Sequence, residues 1–445
     1  MSSEITIPTE VLCDIFHLLC DAPIALHDLK NESHFHEFPW AVGQVSRHWR
    51  QAFLSYTYLW TSFALKPGTF NVAHFVEMNR RATIYLERSG QQPLTILMSM
   101  PCSDTEKFPK SVWRMLLSCL ERWKRANLEL DHRLALNELL ICRGHMLSLE
   151  SLRISIPDSL ALNHYNAFQI APHLIELDLA HPNYVATWQF PWAQLTKLRI
   201  EASYEEFNSH YSVNLWGVLF NLKNIQELHI ITTFGCVTLP SPLPIIPLPS
   251  LWHLEISLAF GMMFSWFTAP LLENLHIHGC KPYCSYHHEP YERELASLIQ
   301  RSSCHIRRLA LQKCREEEMR IMIKVLTNVQ EVFISYIHSP EFALIQDIAG
   351  LDGPIYLPKL QVLRLTCGLT GNHRVENIVT EFSRLLEARG KGLSLASHNI
   401  IVPLEKFVLR LFPREEKCSD KVLEVMRSWP SFAQVYINGS ATPSL

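Results

Sequence analysis

Glycine is scarce in this chain, 15 of 445 residues, and none of it forms a loop with the spacing that cradles phosphate. Gly-X-Ser-X-Gly and His-Glu-X-X-His are both absent, so there is no nucleophile elbow and no helical zinc-protease pair. Asp, Glu and His are plentiful, but none form the spaced set that a reaction needs. The expectation is a non-enzyme with no cofactor and no assigned metal. No block of five or more basic residues occurs, and 40 basic against 43 acidic side chains leave a net charge of -3. That balance argues against nucleic acid as a partner. The opening MSSEITIPTE lacks the basic start and apolar core of an export signal. Twelve cysteines follow no regular framework, and they read as reduced thiols of a cytoplasmic or nuclear protein.

An uncharged stretch, ISLAFGMMFSWFTAPLL at 256–272, stands between Glu255 and Glu273. It is short of the roughly 20 apolar residues that span a bilayer, and it contains Gly261 and Pro270. It predicts a buried strand followed by a buried helix, and no membrane span.

The chain is 48% hydrophobic and 19% charged, enough apolar matter for a large core. A pattern recurs along it: apolar, two others, apolar, one other, apolar. The instances are LESLRI (149–154), LIELDL (174–179), LTKLRI (195–200), IQELHI (225–230), LWHLEI (251–256) and LENLHI (272–277), then IRRLAL (306–311), VQEVFI (329–334), LQVLRL (360–365), LEKFVL (404–409) and FAQVYI (432–437). The spacings lie near those of leucine-rich repeats. The last three positions of each unit alternate apolar, polar, apolar, as a half-buried strand requires. PLTILMSM (93–100) and ANLELDH (126–132) alternate likewise and read as divergent first units.

Segments between the strands have helical spacing. REEEMRIMIKVLTNV places Met319, Met322, Ile323 and Leu326 on one face, CSDKVLEVMRSWP does the same with Val422, Val425 and Met426, and a third helix is expected over 375–389. LPSPLPIIPLPS (239–250) holds five prolines and reads as an extended loop. The expected fold class is α/β: an all-α segment at 1–63, connecting helices and divergent repeats at 64–148, and an irregular leucine-rich-repeat solenoid at 149–445 with an inner parallel sheet and outer helices.

The first sixty residues hold two amphipathic stretches. In IPTEVLCDIFHLL, Pro8 suits a first helical turn, and Val11, Leu12, Ile15, Phe16 and Leu19 fall on one stripe. In QVSRHWRQAFLSYTYLW, Val45, Trp49, Ala52, Phe53 and Tyr56, preceded by Val42, step by three and four as one helical face. So few helices cannot bury that surface among themselves. It must pack on the rest of the chain, as a cap for the array, or on another protein.

The two stretches resemble the F-box of large fungal F-box families. IPTEVLCDIF is similar to that family's Leu-Pro-Pro-Glu-Ile-Leu opening, with Ile7 for Leu and Thr9 for Pro. QVSRHWRQAFLSYTYLW is similar to its Gln-Val-Cys-Arg-X-Trp-Arg core, with Ser46 for Cys. The likeness covers residues 5–63. It implies docking to a Skp-type linker protein, and through that to a cullin and its ubiquitin-transfer machinery. The residues carried over are Ile7, Pro8, Val11, Leu12, Ile15, Phe16, Val45 and Trp49; for Trp60 a place in the interior is expected.

In each repeat strand the third, fifth and seventh positions face away from the core. These include Arg153, Asp178, Lys197, Arg199, Glu201, His229, Glu255, His276, His278, Arg308, Phe333, Arg364, Arg410 and Tyr436. Their mixed charge suits an unknown protein target of complementary charge; a solvated face accounts for any single position. Finally, HIHGCKPYCSYHH (276–288) carries zinc-type ligands without the paired spacing of a zinc finger.

Overall fold

A strand that alternates apolar and polar residues has one face to bury, and in-register neighbours extend that face into a continuous apolar surface that one packed layer can cover. The structure, a computed structural model, follows that rule. It describes residues 7–19, 24–25, 42–65, 72–100, 109–130, 133–140, 143–155, 166–180, 188–202, 209–232, 244–279, 291–337, 343–350, 356–369, 375–390, 402–413, 420–437 and 440–441. Two units emerge, residues 1–202 with 214–222, and residues 203–213 with 223–445.

The first unit begins with helix α1 (Thr9–Leu19), strand β1 (Ile24–Ala25), helices α2 (Val42–Val45) and α3 (Arg47–Ser55), and strand β2 (Ser62–Leu65). There follow α4 (Val72–Arg88), β3 (Leu94–Met100), α5 (Lys110–Leu117), β4 (Trp123–Leu130), α6 (Arg133–Leu140), β5 (Ser151–Ser155), β6 (Glu176–Ala180) and β7 (Lys197–Ala202). Each strand runs parallel to the next in chain order.

Two expectations for the N-terminus are corrected. Residues 1–63 are not all-helical, because β1 pairs with β2, Ile24 opposite Phe63. Phe63, Ala64 and Leu65 are buried in that strand. The single helical face over 42–56 is also broken in two. Ser46 takes an extended conformation (φ -157°, ψ 169°), and its side chain accepts a hydrogen bond from Trp49 N at 3.2 Å. A serine that caps a new helix competes with continuing the old one. Trp60 is fully buried, 5.1 Å from the Tyr85 ring and beneath the Arg88 guanidinium.

Helix α7 (Ser209–Asn221) follows β7. The second unit holds β8 (Glu227–Thr232), β9 (Ile246–Pro247), β10 (His253–Ser257), β11 (Phe267–Thr268), β12 (Asn274–His278), β13 (Arg308–Gln312) and β14 (Glu331–Ile337). It continues with β15 (Val362–Leu369), β16 (Lys406–Pro413), β17 (Ala433–Ile437) and β18 (Ser440–Ala441). Strands β8, β10, β12, β13, β14, β15, β16 and β17 pair in that order, all parallel, and β18 closes the edge antiparallel. All eleven repeat stretches read from the sequence form strands, β5 to β8, β10 and β12 to β17.

The register aligns the leucines. Leu228, Leu254, Leu275, Leu309, Val332, Leu363 and Phe407 lie opposite one another, each at most 1% exposed. Ile230, Ile256, Ile277, Leu311, Ile334, Leu365 and Leu409 form a second buried row two residues on. Burying each such side chain stabilises by about 1.5–3 kcal/mol.

Helices α8 (Tyr291–Ser302), α9 (Glu316–Val325), α10 (Ala343–Ala349), α11 (Val375–Gly390) and α12 (Asp420–Arg427) alternate with strands β12 to β17. In α9, Met319, Met322 and Ile323 are buried, as their spacing predicts. Arg389, near the end of α11, is 1% exposed and donates to the carbonyls of Leu357 and Leu360 at 3.0 and 3.2 Å. Burial pushes its guanidinium down to about 10.

The uncharged 256–272 stretch is mostly buried up to Ala269, but as 3-10 turns over Leu258–Ser265 rather than the expected helix, and Pro270 and Leu271 are exposed. The turns are kinked at Phe260 (φ -105°, ψ 16°). A Cβ at Gly261 would stand 2.8 Å from Tyr291 Cβ, so the backbone meets α8 where only glycine fits. Strand β11 then pairs with β9, which belongs to the described end of the proline-rich loop. No described helix is long and apolar enough to cross a membrane.

Replacing Ile277 by alanine is expected to cost about 2–5 kcal/mol, because the rigid ladder cannot collapse into the cavity. Replacing the exposed Lys406 should stay within about 0.5 kcal/mol. Urea denaturation of both variants checks this.

Candidate functional site

On the N-terminal helices the carried-over residues divide by orientation. Leu12 and Phe16 are fully buried, and the Phe16 ring meets Trp49 and Phe53 edge-on at 5.8 and 6.5 Å. They hold α1 to α3. His48 Nε2 ties Ile7 O at 2.9 Å, so Ile7, Ile15 and Trp49 are half-buried parts of the same joint. Pro8, Val11 and Val45 face outward, with Val11 45% and Val45 61% exposed. Leu18, at 75% exposed, belongs with them.

On the polar face of the first unit's sheet, Arg153, Asp178 and Arg199 lie opposite one another in register. Arg153 Nε is 3.7 Å and Arg199 Nε 4.0 Å from Asp178 Oδ2, and Arg199 Nη2 reaches Glu201 Oε2 at 3.3 Å. Lys197 stands beside them, half-buried. This row largely neutralises itself, and such exposed pairs add little stability.

The second unit's polar face carries more shape. A cleft of about 310 Å³ opens over β10 to β15, lined by His253, Asn274, His276, Arg308, Glu331, Phe333 and Arg364 among others. Arg308 Nε holds Glu331 Oε1 at 3.2 Å, while Phe333 is 36% exposed and Arg364 exposed. Further along, Arg410 lies over the Tyr436 ring at 5.6 Å, so these two form a cation–π pair on the same face.

Beside the cleft the register sets His229, Glu255 and His276 in one row across β8, β10 and β12. Glu255 is 8% exposed. Burial alone pushes its carboxyl up, but hydrogen bonds from His229 and His278 and the His276 and His278 charges outweigh that and hold it well below the usual carboxylate range. His229 Nδ1 donates to Glu255 Oε2, and His278 Nε2 to Oε1 at 2.5 Å. His276 Nδ1 stands 3.3 Å from the same Oε1. The His276 and His278 rings stack at 4.4 Å, and His253 lies 5.0 Å from His229. Burial pushes the His276 imidazole down to about 4, the His278 charge adding to that and Glu255 opposing it. Nε2 of His229 and of His276 are buried without a hydrogen-bond partner.

Strand β12 ends at Gly279 for a steric reason. A Cβ there would lie 2.2 Å from the Lys313 carbonyl oxygen, and the Gly279 N–H donates to Gln312 O at 2.8 Å. The chain must leave beside His278 without a side chain. Of the His/Cys stretch at 276–288, only residues 276–279 are described; Cys280, Cys284, His287 and His288 lie outside the described residues. His253 occupies the third position of its repeat unit, so the alternation that marks the other outward residues also marks it. The convergence of three histidines on one carboxylate had no signal in the sequence, because it depends on cross-strand register.

Compared with known families and curated proteins, the chain matches no family model and no curated sequence. Its fold defines it as an α/β protein built on large, open, mainly parallel sheet.

The cluster makes stability pH-dependent. His276 resists protonation in the fold while the unfolded chain takes up a proton near 6.5, so its contribution is lost as pH falls from 6.5 towards 4. Glu255, also depressed, loses its contribution as pH falls below about 4.5. The thermal midpoint should therefore drop between neutral pH and pH 4, and a His276→Asn variant should show a flatter profile over that window.

Proposed function

We propose that this chain is the target-recognition subunit of a Skp–cullin–F-box ubiquitin ligase. Its N-terminal helices dock a Skp-type linker, and its sheet face holds the protein to be modified. The observation that carries the reading is the outward apolar set on α1 to α3. Val11, Leu18, Val45 and Leu54 are 45, 75, 61 and 39% exposed on helices whose other side is already packed. That much apolar surface on so short a segment suits a protein interface. The F-box likeness of the same stretches supplies the identity of the partner.

The subunit's contribution is positional. Holding a target beside the ubiquitin donor raises its effective concentration, to about millimolar for a short flexible tether, and needs no covalent step on this chain. The irregular leucine-rich-repeat solenoid belongs to this reading, as the arc that would present the cleft. Arg364 and Phe333 are the residues placed to meet a target, because Arg308 is already engaged by Glu331.

A scaffold or binding protein with a helical cap is the second reading. The complete burial of Leu12, Phe16 and Trp60 favours it, since a cap needs an inner face and nothing more. The outer stripe separates the two.

Charge placed at Val11 or Val45 leaves the packed face intact. Val11→Asp and Val45→Asp should each lower the yield of co-purified Skp-type protein at least about tenfold, a loss of about 1.4 kcal/mol, with an unchanged circular dichroism spectrum. Equal recovery from wild type and both variants would remove the ligase reading and leave the scaffold. Arg364→Glu should spare linker binding and weaken target capture; undiminished capture would count against the cleft.

A further inference from the structure

We propose that Glu255, His276 and His278 bind one divalent transition-metal ion of zinc's chemistry on the polar face of the second unit's sheet. The inference does not depend on the ligase reading. It rests on three donor atoms brought together by register: Glu255 Oε1, His276 Nδ1 and His278 Nε2. Each group offers a ligand atom, and all three lie within 4.8 Å of one another. Zinc bonds of about 2.0–2.1 Å at tetrahedral angles place donors about 3.3 Å apart. His276 Nδ1 already stands 3.3 Å from Oε1. His278 Nε2 lies at 2.5 Å, a hydrogen bond that opens by less than 1 Å when metal replaces the proton.

The neighbours fit a ligand set. His229 Nδ1 holds the other carboxylate oxygen, Oε2, and so orients Oε1 towards the two histidines. His229 is 8% exposed, and its Nε2 stands 3.6 Å from Glu227 Oε2. His276 and His278 are alternate residues of one strand, so they share a face, and their stacked rings at 4.4 Å leave both nitrogens on the Glu255 side. Gly279 ends the strand immediately after them against the Lys313 backbone, which holds β12 in place.

Imidazole and carboxylate donors select zinc, cobalt, nickel or copper over magnesium and calcium. One ion is the stoichiometry the charge allows. Glu255 also completes a second three-donor set with His229 and His253. Two ions sharing one carboxylate would leave about three uncompensated charges in a buried site. Three protein ligands leave a fourth position open, the arrangement of sites that bind water or an exchangeable donor. His276 also lines the cleft.

The test uses the full chain, stripped with chelator and titrated with Zn²⁺ by calorimetry and with Co²⁺ by visible absorbance. One equivalent should bind, with the intense absorption of tetrahedral Co²⁺. His276→Ala and His278→Ala should each weaken Zn²⁺ at least about 100-fold, and His229→Gln about 10–100-fold as an orienting residue. Cys280→Ser with Cys284→Ser should leave affinity unchanged. His278→Gln, which keeps a polar group of similar reach, guards against misfolding; its circular dichroism should match wild type while Zn²⁺ no longer raises its thermal midpoint. Several weak equivalents, octahedral Co²⁺, affinity that survives His278→Gln, or affinity lost with the cysteines would each overturn the assignment.

Discussion

Register is the constraint on which the rest depends. Side chains alternate along a strand, so a slip of one residue would send the whole inner row to solvent. The two buried rows of leucine, isoleucine and valine forbid that slip. Leu254 must face Leu228 and Leu275, and Ile256 must face Ile230 and Ile277. Once those pairs are set, every polar residue between them has a fixed neighbour on the opposite face. The apolar core thus decides where charges meet, although it touches none of them.

The consequences differ between the two units. In the first, the row Arg153, Asp178, Arg199 alternates in sign, and its charges offset one another. In the second, a single carboxylate meets histidines from the two strands that flank its own, and next to it the cleft keeps Phe333 and Arg364 in reach of solvent. Adjacent strands lie about 4.8 Å apart, so residues more than twenty positions apart in the chain become chemical neighbours. Burial then does the electrostatic work: it makes charge on His276 costly, while the surrounding histidines keep Glu255 ionised.

The N-terminal helices use apolar surface on both sides. The inner side runs as an aromatic chain through Phe16, Trp49, Phe53 and Trp60 to Tyr85, with Arg88 over Trp60. The outer side leaves Val11, Leu18 and Val45 in water. Strand β2 follows the helices in the chain, and β1 pairs with it, Ile24 opposite Phe63.

By itself the sequence determined the strands of the repeat and the helices between them. LxxLxL reads the same wherever it stands, and Met319, Met322 and Ile323 need only their own spacing to mark a helix. It also marked the alternation along each strand, which is local, although His229 and Glu255, expected on the outward face, are each only 8% exposed. It misjudged the points where a local competitor or a packing demand intervened: Ser46, whose cap splits one helix into two; Ile24 and Ala25, which add a strand; and Gly261, where close contact with α8 accompanies 3-10 turns in place of a helix. Only the tertiary structure decided that His229, Glu255, His276 and His278 share one site, and that Leu12 and Phe16 turn inward while Val11 and Val45 do not. Those outcomes follow from which strand lies beside which and how helices cross, distances that no spacing along a single chain encodes.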